Sequence, residues 1–269
     1  MNKIVYGPSI PRFSSQMHRF YIAPGQLKGT RVVLDEREGH HALHVLRIER
    51  GEQVIAMDGQ GNQHRCTVDE SSRRSVGLQV EDSSFTPRPA TQTVLIQAIP
   101  KTKAWETILQ KSTELSVSRI VPLTTERVVV QLGKETSASK VEKWKAILID
   151  AMKQSGNPWL PQIEQPVALE EFANRKEVFD LSLIGSLQLE RKHPRELFRA
   201  FNERHGRPPQ SVAIWIGPEG DFTAREMELA IAAGAQPISF GPIVLRSDTA
   251  VIYSLAIINY ELQSSEPMS

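Results

Sequence analysis

Apolar positions along this chain change rhythm once. Up to about residue 82, short apolar runs recur with turn-forming residues between them: Val32 to Leu34, Val54 to Met57, Cys66 to Val68 and Val76 to Val80. Runs this short, bounded by turn signals, predict strands, and the stretch MDGQGNQH from Met57 to His64 predicts the hairpin that joins two of them. A small β-barrel or curled sheet of roughly 70 residues fits that spacing. Within it, EGHHALHVLRIERG places Leu43 and Leu46 at helical spacing, so one short helix interrupts the strands.

The segment SSFTPRPATQ, Ser83 to Gln92, carries two prolines among small polar residues and reads as a domain boundary. Beyond it, strand and helix alternate. Val94 to Ile99 is a buried-strand run, Trp105, Ile108, Leu109 and Leu115 recur near helical spacing, RIVPL follows as a strand, and Val141, Trp144 and Leu148 mark the next helix. Further strands are predicted at Leu181 to Ser186, Val212 to Gly217 and Pro237 to Gly241. Thr223 and Glu226 form a capping-box pattern that starts a helix ending near Gly234, and a last helix runs from Ser247 or Asp248 to about Leu262. This alternation predicts an α/β fold, a mostly parallel sheet with helices on both faces.

Composition adds little: 269 residues, 40% hydrophobic and 23% charged, are enough for one large domain or two smaller ones. The longest apolar run, Val251 to Ile258, is broken by Tyr253 and Ser254, too short and polar for a membrane span, and the first residues lack a secretory apolar core. The expected location is therefore the cytoplasm, with no membrane partner. A net charge of +1 does not decide for or against a nucleic-acid partner, because binding needs a local basic face. Cys66, the single cysteine, has no thiol partner for a disulfide or a zinc site and reads as a strand residue. His40 and His44 stand four apart, but without a third ligand no metal site is expected.

Candidate chemistry gathers at strand ends. Ligands of open parallel sheets bind beyond the carboxyl ends of the strands, where Gly185, Gly217 and Gly241 stand. Two shaped loops, IGPEGDFT (Ile216 to Thr223) and FGPIVLRSDTA (Phe240 to Ala250), suggest one shared pocket. The dinucleotide fingerprint fails: Gly59 and Gly61 are followed by His64 at the third position, in a hairpin, and no Walker-type phosphate loop occurs.

The blocks KTKAWETILQKSTELSVSRIVPLTTERVVV, AMKQSGNPWLPQI, IGPEGDFTAREMELA and ISFGPIVLRSDTAVIYSLAI, in this order, with HRFYI and HHALHVLRIERGEQV before them, resemble the RsmE family of 16S ribosomal RNA uridine-N3 methyltransferases, of the SPOUT superfamily. The resemblance implies an N-terminal extension over residues 1–17, a PUA-like RNA-binding β-barrel over 18–86, and a SPOUT methyltransferase domain over 92–265 tied in a trefoil knot. It also implies S-adenosylmethionine bound in the knot, 16S rRNA of the small ribosomal subunit as substrate, and a homodimer.

Carried onto this chain, the resemblance assigns cofactor binding to Ser186, Ile216, Gly217, Gly220, Phe240, Gly241, Ile243 and Leu245, with Ile243 and Leu245 as an apolar wall for adenine. Arg246 is the first catalytic candidate, stabilising the uracil anion formed as N3 loses its proton; the other reading is an anchor for the knot or a dimer contact. Glu219 either orients the loop or the cofactor amine, or acts as base. Arg19, Arg47, Lys103 and Arg127 are assigned to RNA. Three positions depart from the family pattern: Asp221 replaces a glycine, Asp248 a glutamate, and Asn157 an arginine. A SPOUT enzyme acting on another RNA nucleotide, and a noncatalytic RNA-binding assembly protein, are the competing readings.

Overall fold

Two sheets organise the computed structural model, which describes residues 17–72, 75–127, 137–187 and 190–263. The N-terminal extension expected over 1–17 therefore lies, except for Met17, outside the described residues, as do positions 264–265. By contacts the chain divides into two units: one runs to Arg88 and takes back Met152–Leu160, and the other comprises Pro89–Ala151 and Pro161 onward.

In the first unit, β1 (His18–Tyr21), β2 (Arg31–Val33), β3 (Gln53–Met57), β4 (Asn62–Ser72) and β5 (Ser75–Phe85) form one sheet in the order β1-β3-β4-β5-β2. The long β4 and β5 pair antiparallel with register shifts at Arg65/Cys66 and Val68/Glu70. Such bulges bend a strand and raise its twist, which curls the sheet around its own core. That core contains Phe20, Val32, Val54, Cys66, Val68 and Leu78. The predicted hairpin joins β3 to β4, with Asp58 Oδ1 accepting from the Gln60 and Asn62 N–H groups at 2.7 and 3.1 Å. Burial pushes the Cys66 thiol up to about 12, so it stays a neutral core side chain.

The predicted short helix starts earlier than its leucines suggest. It runs as α1 (Glu36–His40), capped by Asp35, and continues as a wider π-helical turn over His41–Leu46, closed by Arg47 in the left-handed region. Glu38, on α1, is buried and accepts from the Tyr21 N–H at 3.1 Å and from Lys153 Nζ at 2.7 Å. A buried carboxylate needs such partners, and these two tie the returning segment to β1. Met152 and Leu160 of that segment pack with Ile55 and Met57.

The second unit is built on parallel strands β6 (Gln92–Ala98), β7 (Arg119–Thr124), β8 (Gln162–Ile163), β9 (Val167–Ala168), β10 (Leu181–Gly185), β11 (Ser211–Ile216) and β12 (Gln236–Ile238). Their order is β12-β10-β11-β6-β7-β8, with β9 also on β7. β8 pairs with Arg119 and Ile120 and β9 with Leu123 and Thr124, so the break between them falls at Pro122, a residue without an N–H for the ladder. The helices are α2 (Thr102–Glu114), α3 (Ser137–Ser155), α4 (Leu169–Asn174), α5 (Pro194–His205), α6 (Ala224–Ala232) and α7 (Ser247–Gln263). Ile96, Val121, Phe172, Ile184, Trp215 and Phe222 meet in its main core. Among the described residues, no helix is long and apolar enough to cross a membrane.

A polar clamp aligns the starts of two neighbouring strands. Arg207 makes two hydrogen bonds to the Asp180 carboxylate, at 2.8 and 3.1 Å, and the Gln210 N–H gives a third at 2.6 Å. Hydrogen bonding from Arg207 above all holds the Asp180 carboxyl down at about 2. A carboxyl held below its ordinary value, about 3.9, stabilises the fold above that value and loses the contribution as pH falls towards 2. In denaturant titrations, the stability gap between the unaltered protein and Asp180→Asn is therefore expected to be full at neutral pH and to close between about pH 4 and pH 2.

Candidate functional site

Parallel pairing puts the carboxyl ends of β10, β11 and β6 on one edge of the sheet, in the registers Ile184↔Trp215 and Ile216↔Gln97. An open cleft of about 620 Å³, solvent-facing space included, lies there. Gly185, Gly217 and Gly241, the three strand-end glycines, all line it. Close approach explains the first: a Cβ on Gly185 would stand 2.6 Å from the Phe240 ring, so only glycine lets that ring form the wall.

One wall is the loop after β11. Pro218 to Asp221 is a tight turn, closed by the Asp221 N–H to the Pro218 carbonyl at 3.0 Å. Asp221 has φ 60°, the left-handed conformation that a glycine adopts freely. Aspartate tolerates it because its side chain bonds locally, here Oδ1 accepting from the Phe222 N–H at 2.8 Å. The departure from glycine is thus accommodated by the backbone, and it adds a second carboxylate to the cleft lining beside Glu219.

The predicted capping box then starts α6: Thr223 Oγ1 accepts from the Glu226 N–H and Glu226 Oε2 from the Thr223 N–H. Glu226 is buried, and its Oε1 accepts from the Glu126 N–H at 2.8 Å. Arg127 donates to the Gly220 carbonyl at 2.6 Å. Together these bonds hold the chain after β7 against the 217–223 loop.

The facing wall comes from the loop after β12 and the start of α7. Phe240, Ile243, Val244, Leu245, Ser247 and Ala250 line it, and Ile243 and Val244 are 68% and 72% exposed. Apolar side chains so exposed at a cleft mouth are a surface ready to be covered. The third side is Ser186 and Leu187 after β10, where Arg191 donates to the Ser186 carbonyl at 3.1 Å and itself lines the cleft.

Of the residues expected to hold a cofactor, Ser186, Ile216, Gly217, Phe240, Gly241, Ile243 and Leu245 are gathered at this cleft, and Glu219 joins them. Gly220 is outside the lining, in the turn bonded to Arg127. Arg246 is also outside it: its side chain is exposed, between Leu245 and Ser247, which do line the cleft. Residues not assigned to the site from sequence include Leu187 and Arg191, two and six residues past the end of β10, and Val244 and Ser247, three residues before α7 and at its first position.

The four residues assigned to RNA are divided between the two units. Arg19 and Arg47 belong to the first unit, Lys103 and Arg127 to the second. Arg19 is half-buried, donates to the Lys153 carbonyl at 3.3 Å and lies against Gly156, so it caps the carboxyl end of α3. Burial lowers its guanidinium from the usual value. Arg47, Lys103 and Arg127 are exposed. His40 and His44 pack ring on ring at 4.6 Å, and the described residues hold no group of three side chains fit to bind a metal.

Residues 86–259 match the family model described as RNA methyltransferase domain, and residues 34–81 match the RNA methyltransferase PUA domain. A ribosomal RNA small subunit methyltransferase E from Synechocystis is 31% identical, over 92% of this chain and 78% of the relative. A methyltransferase structure from Legionella pneumophila, solved with bound SAM, superposes with TM-score 0.82 and 33% identity, covering 91% of this chain and 98% of the other. The small subunit methyltransferase E of Neisseria gonorrhoeae, bound to S-adenosyl methionine, gives 0.79 and 27%, with 91% and 98% covered.

Proposed function

Because the chain belongs to the ribosomal RNA small subunit methyltransferase E family, we propose that it methylates N3 of a uridine in 16S rRNA, with S-adenosylmethionine as methyl donor. The observation that carries this reading is the convergence of three strand-end loops on one cleft. The residues present fit the cofactor. The Phe240, Ile243 and Leu245 side chains offer an apolar wall for adenine, and Gly185 and Gly217 leave backbone open to close contact. Glu219 and Asp221 supply negative charge for the cationic end.

When bound, S-adenosylmethionine supplies an electrophilic methyl group on a sulfonium. The chain's own part is to hold that group at the cleft and to favour charge on the base. Arg246 stands at the rim, exposed, at the amino end of α7, whose dipole adds positive potential. Its guanidinium stabilises the uracil anion left when N3 gives up its proton to solvent water. Glu219 orients the cofactor amine. Arg47 and Lys103 contact phosphate, and contacts of that kind position an RNA without reading its sequence.

The proposal includes residues 18–86 as the RNA-binding unit, residues 92–265 as the methyltransferase unit, a trefoil knot in the latter, a homodimer and a cytoplasmic location. α7 supports the dimer: Tyr253 and Tyr260, 46% and 67% exposed, share one face seven residues apart. Sedimentation at micromolar concentration tests it, a single chain counting against it.

The functional test is transfer of labelled methyl to purified small subunits from cells lacking the protein, with the nucleoside identified by mass spectrometry. N3-methyluridine at one site is expected. A different methylated nucleoside replaces the substrate assignment, and cofactor binding without transfer removes the catalytic one.

A further inference from the structure

Behind the cleft, a buried polar side chain outside the lining is tied to two residues of the lining, Ser247 and Gly217. Gln97, at the carboxyl end of β6 and fully buried, donates through Nε2 to the Ala98 carbonyl at 2.6 Å and to Ser247 Oγ at 3.0 Å. Ser247 Oγ in turn donates to the Gly217 carbonyl at 3.2 Å. A hydroxyl has one proton to give. Because Gln97 occupies its acceptor side, that proton is directed at Gly217, and the 217–221 loop is fixed to the first residue of α7. The two facing walls of the cleft are thereby locked to each other through one strand end.

Stability does not account for this arrangement. Gln97 Oε1 is buried and has no hydrogen-bond partner among the described residues. A buried acceptor left unpaired costs free energy, and a leucine of similar size would remove that cost, offsetting the loss of the two hydrogen bonds that Nε2 gives. Residues that are costly to the fold and kept beside a site are typically held there by function.

We propose that Gln97 is a positioning residue of the cleft, acting through the Ser247 hydroxyl to set the Gly217 carbonyl and so the spacing of the two cofactor walls. The inference rests on the reading of the cleft as an S-adenosylmethionine site. Its signature is a pair of opposite effects. Calorimetric titration of Gln97→Leu with S-adenosylmethionine is expected to give a Kd about tenfold weaker, the value of one buried hydrogen bond. The melting temperature of the same variant without cofactor is expected to stay unchanged or rise. Ser247→Ala is expected to weaken binding similarly, while Ser247→Thr, which keeps the hydroxyl, binds like the unaltered protein.

Equal affinity in Gln97→Leu and Ser247→Ala overturns the positioning role alone. A fall in melting temperature that accompanies the weaker binding overturns it in favour of a purely structural role. No binding by the unaltered protein overturns the cofactor reading itself, and the positioning role with it.

Discussion

Replacing Arg246 by alanine is expected to lower methyl transfer to small subunits by about 10²–10³-fold while leaving S-adenosylmethionine affinity close to the unaltered value. The split follows from geometry. Arg246 lies outside the cleft lining, so its loss removes little that holds the cofactor, yet Leu245 and Ser247 on either side keep it at the rim where a base must approach. Its exposure leaves the side chain available to an incoming RNA, and its seat at the start of α7 adds the helix's positive end to its own charge. Losing charge stabilisation that exists only as the uracil anion forms lowers kcat and leaves binding of the ground state unchanged. Single-turnover transfer rates and calorimetric cofactor affinities measure the two quantities separately. If both fall together, Arg246 anchors the loop instead.

The largest expected effect on stability is at Trp215. It is 1% exposed in β11, flanked in register by Ile96 and Ile184, and its ring meets Phe172 edge-on at 5.2 Å. Its Nε1 donates to Ser182 Oγ at 3.1 Å. Trp215→Ala leaves a cavity and an abandoned hydroxyl, and is expected to cost about 3–5 kcal/mol. For a unit of this size that lowers the melting temperature by roughly 6–20 °C. Trp215→Phe keeps most of the ring contact and forfeits the hydrogen bond, so about 1 kcal/mol is expected. Thermal and denaturant unfolding of the two variants side by side separate packing from polar contact. Because Trp215 directly precedes Ile216 and Gly217, the alanine variant is also expected to blur the cleft; equal melting of the alanine and phenylalanine variants would count against the packing account.

The strands and most helices were legible because their signals are local. Val94 to Ile99 is a nearly continuous apolar run, interrupted only by Gln97, which marks a strand buried on both faces, and Thr223 with Glu226 announces a helix start by their spacing of three. The α5 signal was present too, with Pro194 at its first turn, Leu197, Phe198 and Phe201 at helical spacing and Gly206 in the left-handed region past its end, although α5 is not among the helices predicted from sequence. α4 is only six residues long, below the length at which a period can be seen. Met152 to Leu160 could not be placed with the first unit from sequence, since its partners Ile55, Met57 and Arg19 lie about a hundred residues or more away.

The same division runs through the site. Gly-Pro pairs at strand ends mark loops that something must approach, because glycine and proline shape a backbone wherever they stand. Sequence alone therefore determined the alternating fold, the two shaped loops and, through the order of its blocks, the family. The third dimension decided the rest: that Gly220 faces Arg127, that Arg19 caps a helix, that Asp221 sits where glycine would be at ease, and that Gln97 reaches Ser247 across 150 positions. Those facts depend on which distant groups pair once the core has closed, and no local pattern of residues encodes such a pairing.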